Sequence, residues 1–226
     1  MTRVLPCLVL LFFSSCGEIG TTNTSSNTEE PIDQLVRSYY EPFDQSDKVP
    51  GIIVLGGSEG GIDVAIGTAS VLSKSGYGAM AVAYFGTKHL PERLESIPLE
   101  YLAQAIVDLK KQPNIDTNCI GILGYSRGAE LALLMASHYP ELKFVVGFVP
   151  SHASFGSYPA IRGFQNSAWT FNGKAMPYIS NSTHLNYLRN SKQATESENI
   201  LKNMKDYSES IIQVENIKGP VLFFSG

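Results

Sequence analysis

Residues 121–130 read GILGYSRGAE, and inside them Gly124-Tyr125-Ser126-Arg127-Gly128 spells G-x-S-x-G. The run before it, NCIGILGY at 118–125, is apolar and rich in strand formers, and the run after it, ELALLMAS at 130–137, is apolar on nearly every side of a helix. Strand, sharp turn and helix are the setting in which such a serine has its hydroxyl exposed on a strained elbow. The helix is predicted from Ser126 to about Tyr139, with Pro140 as its stop. Side chains two before and two after the serine would collide across so tight a turn, and Gly124 and Gly128 hold those positions. The helix start aims free N–H groups at the site, and the Arg127 N–H is the first candidate oxyanion donor. The plainer alternative is a helix N-cap serine in an ordinary turn.

Working outward, further short apolar runs lie at 51–57 (GIIVLGG), 78–86 (GAMAVAYFG), 143–150 (KFVVGFVP) and 219–226 (GPVLFFSG). Helical periods fill Ile62–Ser75 and Pro98–Lys111, the second with Leu99, Leu102, Ala103, Ile106 and Leu109 on one stripe. This alternation implies an α/β fold, a mostly parallel sheet with helices on both faces. The loop LGGSEGG at 55–61 follows a strand directly, so the N–H of Ser58 or Gly57 is the candidate second oxyanion donor. Its glycines fit neither G-x-G-x-x-G nor G-x-x-x-x-G-K-[ST], and no cofactor or metal is implied.

The stretch 151–187 breaks the rhythm and reads as an irregular, cap-like insertion. Its aromatics Phe155, Tyr158, Phe164, Trp169, Phe171 and Tyr178 could line a pocket or pack the cap. Helical character returns at Thr195–Asp206.

With 226 residues, 43% hydrophobic, the chain can bury one sizeable core. A net charge of −4 without a basic run excludes a nucleic-acid partner. Residues 1–16 pair a short positive start with an apolar stretch, Val4–Phe13, of signal-peptide length. They end in Ser14-Ser15-Cys16-Gly17, which resembles a bacterial lipobox with Cys16 as the lipid-bearing residue. Residues 17–48 then form a polar tether and lead-in, and 49–226 the folded domain. The implied location is outside the cytoplasm, on a membrane, facing the periplasm or cell exterior. An ordinary cleaved signal is the alternative. Cys7, Cys16 and Cys119 make no disulfide framework, and Cys119 reads as a small buried hydrophobe.

Four stretches carry a resemblance: PGIIVLGGSEGG, LSKSGYGAMAVAYFGTKHLPERLESIPLEYLAQAIVDL, IGILGYSRGAELALLMAS and KGPVLFFSG. In this order they resemble the α/β-hydrolase domain of acyl-CoA thioesterases and bile acid-CoA:amino acid N-acyltransferase. The resemblance implies an α/β-hydrolase fold and a nucleophile at Ser126. That nucleophile attacks an ester or thioester to give an acyl-enzyme, which water or an amine resolves. A cysteine at the elbow is typical of the transferase, so Ser126 favours hydrolysis. A β-sandwich domain precedes this one in mammalian relatives, and the residues between Cys16 and Val49 are too few for it.

The resemblance also places the triad Asp just after the GPVLFF strand and the His further on, beyond Gly226. The expectation is therefore an incomplete form with impaired activity and an exposed VLFF edge. Of His89, His138, His152 and His184, only His152 ends a strand on the catalytic rim. Glu59, Asp63 and Glu130 could be offered as acids, but carboxylates near a helix N-terminus more often cap it or pair with a neighbour such as Arg127. Two other functions stay open: acyl transfer to an amine or alcohol, and a non-catalytic lipoprotein binding an apolar ligand.

Overall fold

A computed structural model of the chain describes residues 35–43, 48–159, 166–180 and 207–225. The signal and lipobox with Cys16, most of the tether, Phe164, His184, the 195–206 helix and Gly226 lie outside the described residues. The elements run β1 (Arg37–Tyr40), β2 (Val49–Leu55), α1 (Asp63–Lys74), β3 (Gly78–Val82), β4 (Ile97–Pro98) and α2 (Leu99–Lys110). They continue with β5 (Ile115–Tyr125), α3 (Arg127–His138), β6 (Leu142–Phe148), β7 (Trp169–Phe171), β8 (Lys174–Ala175) and β9 (Val221–Phe224). The three helices start and stop within one residue of the boundaries expected from period and punctuation.

Alternate side chains of β2 feed two cores, as the period of a strand requires. Ile53 and Leu55 pack with α2 and α3 on one face, whereas Ile52 and Val54 pack with Ala65 and Ala69 of α1 on the other. The main sheet has the order β1-β3-β2-β5-β6-β9. Every neighbouring pair is parallel except β1 with β3. The chain leaves β2 through α1 to β3 on one side, then returns through α2 to β5 on the other. The carboxyl ends of β2 and β5 are therefore the point where strand order reverses, the place where an open α/β sheet binds ligands.

Three findings depart from the sequence reading. First, the sheet begins before residue 49: Arg37–Tyr40 pairs antiparallel with β3, in the register Arg37↔Val82 to Tyr40↔Ala79. A four-residue edge strand carries too little apolar alternation to be read as one. Second, the cap-like insertion contains order, because β7 pairs with β4 and with β8 in a separate three-stranded sheet. Third, Cys119 is half-buried rather than buried. It borders an open apolar groove with Ile52, Leu123 and Phe144.

β9 is an edge of the sheet, with Leu222, Phe223 and Phe224 about half exposed.

Candidate active site

β5 ends at Tyr125 and α3 begins at Arg127, so a single residue makes the turn, and Ser126 makes it at φ 49°, ψ −112°. A residue with a Cβ rarely takes this conformation, and it persists only where the surroundings hold it. The holding contacts are the Ser126 N–H donating to the Phe148 carbonyl oxygen at 2.8 Å and the Ala129 N–H donating to the Ser126 carbonyl oxygen at 2.9 Å. Both predicted clearance glycines are needed. A Cβ on Gly124 would stand 2.1 Å from the Gly128 carbonyl oxygen, and one on Gly128 would stand 2.0 Å from the Gly56 carbonyl oxygen.

The second contact shows that the loop after β2 lies directly against the elbow. The Cβ position of Gly57 is 3.5 Å from Ser126 Cβ. Tyr84, buried just past β3, donates its hydroxyl to the Gly56 carbonyl oxygen at 2.8 Å and lies 3.1 Å from that of Gly57. Burial raises the Tyr84 pKa well above its ordinary value, so the hydroxyl stays a donor. Of the candidate donors, Arg127 heads α3, where N–H groups have no intrahelical acceptor, and Ser58 sits in the loop opposite. The Gly57 N–H is already engaged, donating to Glu59 Oε1 at 2.7 Å. A carboxylate two residues on folds back onto it more cheaply than a distant group could reach it.

The Arg127 side chain points away from solvent. Its Nη1 donates to Glu130 Oε2 at 2.7 Å, and its Nη2 donates to the carbonyl oxygens of Phe155 and Gly156 at 3.0 and 3.1 Å. Glu130 is fully buried, and its Oε1 accepts from Trp169 Nε1 at 2.7 Å and from the Phe155 N–H at 3.0 Å. Burial pushes the Glu130 carboxyl up to about 7, against the opposing pull of Arg127, Trp169 and Phe155. Burial likewise lowers the Arg127 guanidinium, with Glu130 resisting. The pairing of Glu130 with Arg127 agrees with the sequence reading.

Ser126 opens onto a cavity of about 250 Å³ whose lining includes Val149, Pro150, Phe155, Gly156 and Tyr158 and, at its base, Arg127 and Glu130 themselves. Among the described residues no histidine borders it. His138 lies a dozen residues along α3, its Nδ1 2.9 Å from the Leu134 carbonyl oxygen, with its ring against Phe171. The His152 carbonyl oxygen accepts from the Ile212 N–H, and His89 sits at φ 72° in the loop after β3. Of the insertion's aromatics, Phe155 and Tyr158 border the cavity, whereas Trp169 is fully buried.

Two site residues carried little sequence signal. Tyr84 reads as one more apolar residue of a strand, and Trp169 as one aromatic among several. A carboxylate inside an otherwise apolar helix, Glu130, signals that some donor must face it, without saying which.

A largely parallel sheet with helices on both faces, and a strained serine between two clearance glycines at its switch point, defines the α/β-hydrolase class. Within that class the chain belongs to the BAAT / acyl-CoA thioester hydrolase C terminal family, whose pattern matches residues 97–226. It is 40% identical over 93 residues to acyl-coenzyme A amino acid N-acyltransferase 1 of Mus musculus, covering 41% of this chain and 22% of that protein. It is 37% identical over 108 residues to acyl-coenzyme A thioesterase 1 of Mus musculus, covering 48% and 25%. The matched part thus spans a quarter or less of these relatives. A dienelactone hydrolase-like promiscuous phosphotriesterase from metagenomic libraries superposes with a TM-score of 0.47 at 15% identity, over 85% of this chain and 76% of that one.

Proposed function

We propose that the protein is a serine hydrolase that cleaves an acyl ester or thioester through an acyl-enzyme on Ser126. The observation that carries this reading is the positive φ of Ser126 at the mouth of a cavity, a strain that an N-cap serine has no need of. Ser126 Oγ attacks the carbonyl carbon, and the thiol or alcohol departs with a proton as the C–S or C–O bond breaks. Water then attacks acyl-Ser126 and releases the acid. The developing oxyanion is held by the Arg127 N–H and by the Ser58 N–H across from it, with the Gly57 N–H available once Glu59 swings away. Among the described residues no histidine lines the cavity to take the Ser126 proton.

The names of the relatives support both outcomes of such an intermediate, thioester hydrolysis and transfer to an amino acid. A serine in place of a thiol nucleophile favours water as the acceptor. Export and lipidation at Cys16 complete the reading, which makes an exported ester or thioester the substrate rather than a cytosolic acyl-CoA.

A fluorophosphonate probe tests the proposal. We expect an adduct that peptide mass spectrometry maps to Ser126 and that Ser126→Ala abolishes. Absence of any Ser126 adduct in the full-length gene product overturns it. Product analysis with and without an amine acceptor separates hydrolysis from transfer.

A further inference from the structure

Glu130 stands one turn into α3 with no exposed surface, among Ala129, Leu131, Ala132, Leu133 and Leu134, all buried. An ion pair buried in such surroundings is a poor stabiliser, since well-packed apolar residues of the same volume do as well or better. What distinguishes this one is where its remaining bonds go. Glu130 Oε1 takes the Phe155 N–H, and Arg127 Nη2 gives to the carbonyl oxygens of Phe155 and Gly156. The Trp169 indole joins from below, bonded to the same Glu130 oxygen, with the Arg127 guanidinium 5.5 Å from its ring centre.

Both peptide groups of Phe155, with the carbonyl of Gly156, are thus held by side chains one and four residues after Ser126. Phe155 and Gly156 are also the wall of the cavity above Ser126, continued by Tyr158. No other part of that wall is tied to α3 by so many bonds among the described residues. The wall is also held from behind, the Gly156 N–H donating to the Ile179 carbonyl oxygen at 3.0 Å and the Tyr158 N–H to that of Leu94 at 2.9 Å, so the bonds from Arg127 and Glu130 are what tie it to the turn of helix that presents the serine.

We propose that Arg127 and Glu130 are positioning residues that set the spacing between Ser126 and the Phe155–Tyr158 wall, and so determine which acyl chains the site accepts. This rests on Ser126 being the nucleophile. A chain long enough to lie along the wall depends on the pair, and a two-carbon acyl group does not reach it. Loss of wall contacts weakens ground state and transition state alike, which raises KM and leaves kcat nearly untouched.

The test uses the full-length protein with p-nitrophenyl acetate and p-nitrophenyl octanoate. Glu130→Gln alone leaves Arg127 buried without its counter-charge, so it is paired with the double variant Arg127→Met/Glu130→Met, which keeps the volume and removes both charges. The double variant keeps the Arg127 main-chain N–H, and whatever it does to turnover of both esters alike, we expect the ratio of the octanoate KM to the acetate KM to rise about tenfold. An unchanged ratio of the two KM values overturns the proposal. Amide exchange provides a second readout that needs no turnover. In the double variant, exchange should quicken at residues 153–158 and stay at wild-type rates in β2 and β5, and unchanged exchange at 153–158 also overturns it. If the wild type forms no Ser126 adduct, the nucleophile reading fails by itself, while exchange still decides whether the pair holds the wall.

Discussion

A methyl group on Gly128 would stand 2.0 Å from the carbonyl oxygen of Gly56, so the start of α3 and the loop after β2 touch through a glycine. Gly128→Ala must therefore push the donor loop away from Ser126. The obstacle is backbone, held on its other side by the Tyr84 hydroxyl, and no side chain can rotate to make room. We expect a loss of about 1–3 kcal/mol, the usual cost of overpacking a core, read as a lower urea midpoint. The phosphonylation rate of Ser126 should fall with it. A Gly128→Ala variant as stable as wild type would mean that the loop is not seated on the helix.

The conformation of Ser126 makes a prediction that separates backbone strain from loss of the hydroxyl. Ser126→Ala and Ser126→Gly both remove Oγ, but only glycine adopts φ 49° without a Cβ penalty. Relief of about 1–3 kcal/mol exceeds the roughly 0.5–1 kcal/mol that glycine's freedom in the unfolded chain takes back. Ser126→Gly should unfold at a higher denaturant concentration than Ser126→Ala by about 1 kcal/mol. Equal midpoints would show an unstrained elbow.

Glu59 occupies the Gly57 N–H, which the proposed oxyanion hole holds in reserve. Its carboxylate lies 2.8 Å from the Cβ position of Gly57, the same point from which Ser126 Cβ is 3.5 Å away. If the Gly57 N–H joins the proposed hole, its bond to Glu59 is given up first, so Glu59→Ala should speed phosphonylation of Ser126 by roughly two- to tenfold, the range of one hydrogen bond's net worth. A slower reaction would instead assign Glu59 a constructive part in the chemistry.

The elbow was legible because its signal is local and steric: a strand, two glycines at fixed offsets and a buried helix fall within about twenty residues of each other. The helix limits followed from Gly76, Pro113 and Pro140. What escaped was set by tertiary context. β1 shows four residues whose only reason to be a strand is the free edge of β3. Trp169 finds Glu130 across 39 positions of sequence, and no period or spacing encodes such a partner. The fate of the Gly57 N–H was equally invisible, because LGGSEGG says that the backbone is free to approach and not which oxygen reaches it first.

Burial also gives Glu130 a pH dependence of unusual sign. Its carboxyl titrates near 4.5 in the unfolded chain and about 7 in the folded one, raised first by desolvation. Between these values the folded protein holds a proton that the unfolded chain has released, so stability falls as pH rises through the window. The loss is complete above the folded pKa and absent below the unfolded one. Asp108, lowered below the ordinary carboxylate range although partial burial opposes it, by bonds to Lys111 and Gln104 and by Arg37, acts in the opposite sense, so the comparison is made against Glu130→Gln, which keeps Asp108 and removes the titration at 130, at the cost of leaving Arg127 without its counter-charge at every pH of the window. From pH 4.5 to 7.5 the stability of wild type relative to Glu130→Gln should drop by on the order of 3 kcal/mol, measured by urea unfolding at each pH. A flat difference across that window would show that Arg127, Trp169 and Phe155 keep Glu130 ionised throughout.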